Sequence, residues 1–212
     1  MRWMDNERLA LVETFRNADP DSPTLCEGWN VRRLLAHLVM REHAPLNQLL
    51  DLAAKPEPGR ELRLGALTAT AESPEGYEAL VARFAAGTGA ANPMTWLGDS
   101  VQLVEYVIHH EDVRRGGNSI EPRVLPDGLL EALWKKLPMM AKMSYRRSPV
   151  GVTLATPGGA PKLVHKGPGG VLLSGDPVEV ALYISGRQVA SRVEATGTAE
   201  NVEAFHHWAA GR

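Results

Sequence analysis

Apolar residues recur at helical spacing through most of the chain up to about residue 145. Leu9, Val12 and Phe15, with Leu11 beside them, predict a first helix capped by Asp5 and ended by Asp19-Pro20-Asp21-Ser22-Pro23. The segment from Pro23 to Asn30 reads as a loop anchored by Leu25 and Trp29, with Asn30 as the N-cap of a second helix. That helix should start close to Val31 and run to about Leu52, with Leu34, Leu38 and Leu49 on its buried side and a kink at Pro45. Lys55 to Ser73 reads as a long connection. Ser73 followed by Pro74 announces a third helix with Tyr77, Leu80, Val81 and Phe84 inward, closed by Gly87 and Gly89. Asn92-Pro93 opens the link to a fourth, which should extend from about Thr95 or Gly98 to Arg115 and stop at Gly116-Gly117, with Arg114 and Arg115 complementing its dipole. Leu129 to about Met143 forms another, in which Met139, Met140 and Met143 read as adaptable core filling.

Beyond Pro149 the period changes. Gly151–Thr156, Lys162–His165, Val171–Ser174 and Arg192–Thr196 are short β-branched or apolar runs separated by Pro and Gly, the pattern of a small antiparallel sheet. Gly167-Pro168-Gly169-Gly170 lacks the Lys-Ser/Thr ending of a phosphate loop and reads as a hairpin turn. Asp176, Pro177 and Glu179 predict a helix start that runs to Gly186, and Thr198 caps a terminal helix carrying Val202, Phe205 and Trp208. The expected fold is therefore α+β: a four-helix bundle over residues 1–147 and a small α+β domain over 148–212.

Candidate chemistry concentrates in Val101–Asp112. At 3.6 residues per turn Glu105, His109 and Asp112 share one helical face, and a carboxylate and an imidazole at i and i+4 can reach one divalent ion. His37, which interrupts an apolar stretch of the second helix, is the best third donor. The plainer alternatives are a solvated face for Glu105 and His109 and a hydrogen-bonded core histidine for His37. Arg41, one turn after His37, either faces the same cavity and binds an anionic group or pairs with a surface acid. Cys26 lies beside Glu27, whose charge raises a thiol pKa, so burial as a small apolar residue is favoured over a nucleophilic role. Asp112 is a candidate partner for a ligand histidine or a fourth ligand, and His110 faces away from Glu105. His206 and His207, adjacent on a helix, point about 100° apart and do not share a metal.

Composition narrows the classes. A net charge of −2 and a pI near 6.4 give no basic footprint for nucleic acid. One cysteine excludes an internal disulfide framework, and the N-terminal stretch acquires charge where a signal peptide needs an apolar core. With no long apolar span, cytoplasmic residence is the expectation, with no membrane partner.

Thr24-Leu25-Cys26-Glu27-Gly28-Trp29-Asn30-Val31, then Leu35-Ala36-His37-Leu38, then Glu105-x-x-x-His109-His110-x-Asp112 resemble the actinobacterial mycothiol-dependent maleylpyruvate isomerase family of the DinB-like metal-binding superfamily. Gly175-Asp176-Pro177 and Leu182–Arg187 resemble that family's C-terminal domain, which is similar to sterol carrier proteins. The resemblance implies a bundle holding a divalent ion through His37, Glu105 and His109, zinc first, with nickel, iron and manganese open to the same donors. It further implies mycothiol bound as a thiolate and added to a small electrophilic substrate, giving an isomerase or a thiol S-transferase, with Arg187 steadying a substrate carboxylate. Arg187 is equally a structural C-cap. The alternative is a metal-binding protein without turnover, serving stress response or sensing.

Overall fold

A computed structural model of the chain describes residues 2–57, 59–88, 102–117 and 121–211. Two compact units emerge, Met1–Glu121 and Pro122–Arg212. The division lies ahead of the 147/148 boundary drawn from composition, because the helices at 127–144 pack with the sheet and helix of the second unit. No helix among the described residues is long and apolar enough to cross a membrane.

The first unit contains α1 (Trp3–Asn17), α2 (Val31–His43), α3 (Pro45–Ala54), α4 (Leu62–Ala69), α5 (Pro74–Ala86) and α6 (Gln102–Arg115). Helix α1 packs on α5 and α6, and α2 packs on α3, α4 and α5. Leu11, Phe15, Leu34, Leu35, Leu38, Val81, Phe84, Leu103 and Tyr106 form the core. Leu9 is exposed, and the N-cap of α1 is Arg2, with Asp5 in the first turn bound to the Arg2 guanidinium at 3.1 Å. The expected caps of α2 and α5 are present: Asn30 accepts from the Arg33 N–H at 3.0 Å and Ser73 from Gly76 at 3.0 Å. Pro45 does more than kink its helix. It ends α2 at His43 and starts α3 at its own position, and Leu49 consequently lies on an exposed face. The stretch expected as a connection holds α4, whose free N-terminal amides at Arg63 and Leu64 are taken by the Asp51 carboxylate at 3.1 and 2.9 Å. The expected starts of α6 at Thr95 or Gly98, the link at Asn92-Pro93, Val101 and Gly89 lie outside the described residues.

Helix α6 is buried on nearly every side, so its polar residues need internal partners. His110 meets Glu7 at 2.8 Å and Thr14 at 2.7 Å, and Glu111 accepts from Arg115 at 2.6 Å. Gly116 ends it where a side chain could not fit, since a β-carbon there would lie 2.1 Å from the Pro23 carbonyl. The 23–30 loop is thereby drawn against the end of α6, with the Leu25 N–H bonded to the Asp112 carbonyl at 3.1 Å.

In the second unit α7 (Asp127–Trp134), α8 (Leu137–Ser144), α9 (Pro177–Ile184) and α10 (Ala199–Ala210) accompany strands β1 (Val152–Ala155), β2 (Lys162–His165), β3 (Val171–Ser174) and β4 (Glu194–Gly197). The helix expected from Leu129 to Met143 is broken at Lys135-Lys136, with Pro138 in the first turn of α8, and Met139 and Met143 are exposed rather than core. The sheet order is β2-β1-β3-β4, with β1 and β3 parallel, so the sheet is mixed. The 167–170 glycines are accordingly not a hairpin turn. They carry the chain from β2 to β3 around the start of β1, and a β-carbon on Gly167 would lie 2.7 Å from the Gly151 nitrogen. Thr198 caps α10 as expected, accepting from Asn201 at 3.3 Å. Glu179, expected as part of the α9 cap, is buried and accepts from the Arg192 N–H at 2.7 Å.

Candidate metal centre

His37 lies in the middle of α2 and Glu105 and His109 one turn apart on α6, so three side chains from two helices meet. Their placement follows from the local folding already described: Asn30 fixes the start of α2, and the buried polar face of α6 turns toward it. Nε2 of His37 lies 3.4 Å and Nε2 of His109 3.2 Å from the same atom, Glu105 Oε1. The imidazole centroids are 5.1 Å apart, and the three donor atoms lie within 4.8 Å of one another. Trp29 stands against the other side of the His37 ring at 5.0 Å.

Asp112, wholly buried, accepts the Nδ1–H of His109 at 2.8 Å. That bond fixes the tautomer and leaves Nε2 as the atom facing Glu105, the arrangement a ligand histidine requires. Two imidazole nitrogens and one carboxylate oxygen form a three-residue donor set of the kind that binds zinc and leaves a further position open. The residues present therefore fit a divalent cation.

Charges within the group are strongly coupled. Burial lowers the His37 imidazole below its ordinary value, the bond to Glu105 notwithstanding, and the nearby His109 and Arg41 lower it further. For Glu105 burial alone would raise the carboxyl, but bonds from His109 and His37 and the charges of His109 and Arg41 outweigh it and hold it well below the usual carboxylate range. Burial would likewise lower His109. The bonds to Asp112, Cys26 and Glu105 prevail and hold it well above the ordinary imidazole value.

Two further residues are at the centre. Arg41 does not pair with a surface acid: it is buried, its Nε lies 3.2 Å from Glu105 Oε1 as an ion pair, and its Nη1 donates to Gln102. Helical spacing from His37 was the signal for it. Cys26 is partly exposed, donates to Asp112 Oδ2 at 3.2 Å and lies 4.0 Å from His109 Nδ1, so it is not simply a buried apolar residue. No sequence spacing joins Cys26 to a histidine 83 positions away. Beside His37 a cavity of about 110 Å³ is lined by Trp29, Met40, Gln48, Asp51, Leu52, Glu61 and Leu64. Asp51 and Glu61 in its wall are already engaged by Arg63 and Arg33. Arg187, in the second unit, donates from Nη1 to the Ser185 carbonyl at 2.6 Å just beyond α9, the C-cap geometry.

Comparison with known proteins sets this geometry in context. The chain aligns along 92% of its length, at a TM-score of 0.57 and 17% identity, with a crystal structure of a mycothiol-dependent maleylpyruvate isomerase, of which it covers 90%. A histidine-to-alanine mutant of a mycothiol-dependent maleylpyruvate isomerase gives the same score and coverage at 16% identity. The likeness establishes a shared mixed fold of helices and a small sheet. Among curated protein sequences there is no match. The family profile described as the mycothiol maleylpyruvate isomerase N-terminal domain matches residues 4–114, which include every residue of the His37, Glu105 and His109 cluster and so more than half of the chain. The chain belongs to the mycothiol maleylpyruvate isomerase N-terminal domain family.

Proposed function

We propose that this protein binds a divalent cation through His37, Glu105 and His109 and uses it in a thiol-dependent isomerisation or S-transfer on a small electrophilic substrate. The observation that carries the proposal is the convergence of both Nε2 atoms on a single oxygen of Glu105, with the Nδ1–H of His109 held by Asp112. Zinc suits the donor set best. When bound, such an ion supplies a Lewis acid that favours the ionised form of a thiol at neutral pH. Family membership favours mycothiol as that thiol.

The chain's own residues account for the rest. Asp112 keeps His109 in the productive tautomer, and Glu105 is held as a carboxylate at neutral pH. The cavity beside Trp29 and His37 has room for a compound of only a few heavy atoms. In this reading α1, α2, α5 and α6 are the DinB-like four-helix bundle, and the second unit is the domain similar to sterol carrier proteins. Engagement of a substrate carboxylate by Arg187 belongs to the same proposal and rests on the family resemblance alone; replacing Arg187 by Ala should raise KM for a carboxylated substrate more than for a neutral one.

Purified protein should carry close to one equivalent of zinc, and His37→Ala should abolish stoichiometric binding. The loaded protein should accelerate addition of mycothiol to an electrophile or isomerisation of a cis-enoyl acid. Full retention of metal by the His37→Ala variant would remove His37 from the site. Bound zinc with no thiol-dependent turnover across a panel of electrophiles would leave a metal-binding protein of sensing or stress-response type.

A further inference from the structure

Beyond the reading above, we propose that Cys26, Asp112 and the Nδ1 edge of His109 form a second cation site, on the side of the His109 ring away from Glu105, that takes thiophilic divalent ions such as cadmium. Cys26 Sγ lies 3.2 Å and His109 Nδ1 2.8 Å from the same atom, Asp112 Oδ2, and the sulfur and the nitrogen are 4.0 Å apart. With bonds of about 2.0–2.3 Å, ligand atoms of these kinds stand roughly 3.3–3.6 Å apart around a tetrahedral ion. The three separations bracket that spacing, so small side-chain shifts admit an ion.

The backbone holds the sulfur where it is. The Cys26 N–H donates to Thr24 Oγ1 at 3.2 Å, the Cys26 carbonyl accepts from the Trp29 N–H at 3.0 Å, and the Leu25 N–H is bonded to the Asp112 carbonyl at 3.1 Å. His109 and Asp112 stand three residues apart on α6, so both of their donor atoms belong to one rigid turn. The site also has an approach. Cys26 is partly exposed and, with Thr24, Glu27, Trp29, Asn30 and Arg33, lines a cleft of about 470 Å³, from which a water molecule can complete four ligands.

The donor set decides which ion is preferred. A thiolate and a carboxylate together offset both charges of a divalent ion, whereas the His37 cluster offers one anionic donor with the Arg41 guanidinium beside it. Sulfur adds softness, which favours thiophilic over oxygen-seeking cations. As the ion enters, the thiol proton leaves to solvent and the ring hydrogen passes from Nδ1 to Nε2, where Glu105 Oε1 stands 3.2 Å away to accept it. The two sites thus draw on one imidazole from opposite edges.

Cadmium titrated into the purified protein should give a thiolate-to-metal charge-transfer absorption in the ultraviolet that saturates at one equivalent and is absent in Cys26→Ser. A thiol acting alone would bind cadmium equally well whatever its neighbours. The cluster requires instead that Asp112→Asn and His109→Gln each weaken cadmium, followed by that band, about tenfold or more, the loss that removal of even an outer partner of a ligand brings. His37→Ala should keep the band at full height, since His37 belongs to the other edge. No thiolate band in the unaltered protein would overturn the inference, as would equal cadmium affinity in a folded Asp112→Asn or His109→Gln variant; either result leaves zinc at His37 standing. A full band in a protein that binds no zinc would overturn the His37 reading and support this one.

Discussion

Asp112 is the residue whose removal most sharply tests the chemistry of the centre. It is wholly buried and accepts two donors, His109 Nδ1–H at 2.8 Å and the Cys26 thiol at 3.2 Å. Replacing it by Asn preserves volume and an acceptor oxygen, so the ring stays oriented while a charge-assisted bond becomes a neutral one. That exchange is worth about 1 kcal/mol, or roughly fivefold in zinc affinity at pH 8. Asp112→Ala loses the acceptor altogether and should cost about 10- to 100-fold, in line with the removal of other outer partners of metal-binding histidines. The pH dependence carries the sharper test. The Asp112 carboxylate, with Cys26 and Glu105, overcomes burial and holds His109 well above the ordinary imidazole value, so a proton sits where the proposed cation would bind. As pH falls, that proton competes at about tenfold per unit. In Asp112→Asn the imidazole is less basic and the competition sets in at lower pH. The deficit of the variant should therefore shrink between pH 8 and pH 6. Zinc affinity measured by chelator competition at both values decides it. A deficit that is constant with pH, or that grows on acidification, would refute the assignment of Asp112 as the partner that sets His109.

Two predictions concern the frame around the centre. Asp51 accepts from the Arg63 and Leu64 amides and the Arg63 guanidinium; Asp51→Ala should lose about 2 kcal/mol in urea unfolding at pH 7. Burial alone would raise the Asp51 carboxyl, but these donors lower it below 3.8, so its contribution is present above that value and fades as pH falls through the lower folded-state value; an acid-stable difference between variant and parent would contradict this. Gly167→Ala drives a β-carbon to within 2.7 and 2.8 Å of backbone atoms of Gly151 and Val150 and should destabilise the second unit by about 1–3 kcal/mol. Gly158→Ala, with open space around it, should cost about 1 kcal/mol at most from its positive φ; equal thermal stability of the two variants would show that the crossover at Gly167 is not tight.

The parts of the fold that were legible in the sequence are those governed by short-range physics. Asn30, Ser73 and Thr198 cap helices because a side-chain oxygen three residues upstream of a free amide acts locally. The coincidence of Glu105 and His109 on one face is likewise a matter of helical pitch, and His37 was findable as a polar break in an apolar run. What escaped was decided by packing between distant segments. Helix α4 depends on Asp51 reaching across to cap it, and no local signal announces that. The parallel pairing of β1 with β3 requires the chain to pass around β1, whereas glycine-rich spacing alone suggests the simpler hairpin. Cys26 reaches Asp112 because Gly116 allows the 23–30 loop to close against α6, an approach visible only in three dimensions. The methionines of α8 misled for a related reason: the break at Lys135-Lys136 changes which face of the second segment is turned inward.

The interruption at Pro45 separates two jobs that one continuous helix would have tied together. His37 and Arg41 stand on α2, while Gln48, Asp51 and Leu52, which wall the neighbouring cavity, stand on α3, and Glu61 and Leu64 are supplied at and just before α4. Substitutions that reshape that wall can accumulate without tilting the ligand-bearing segment. The wall of the cavity can thus be reshaped while the cluster of His37, Glu105 and His109 stays put.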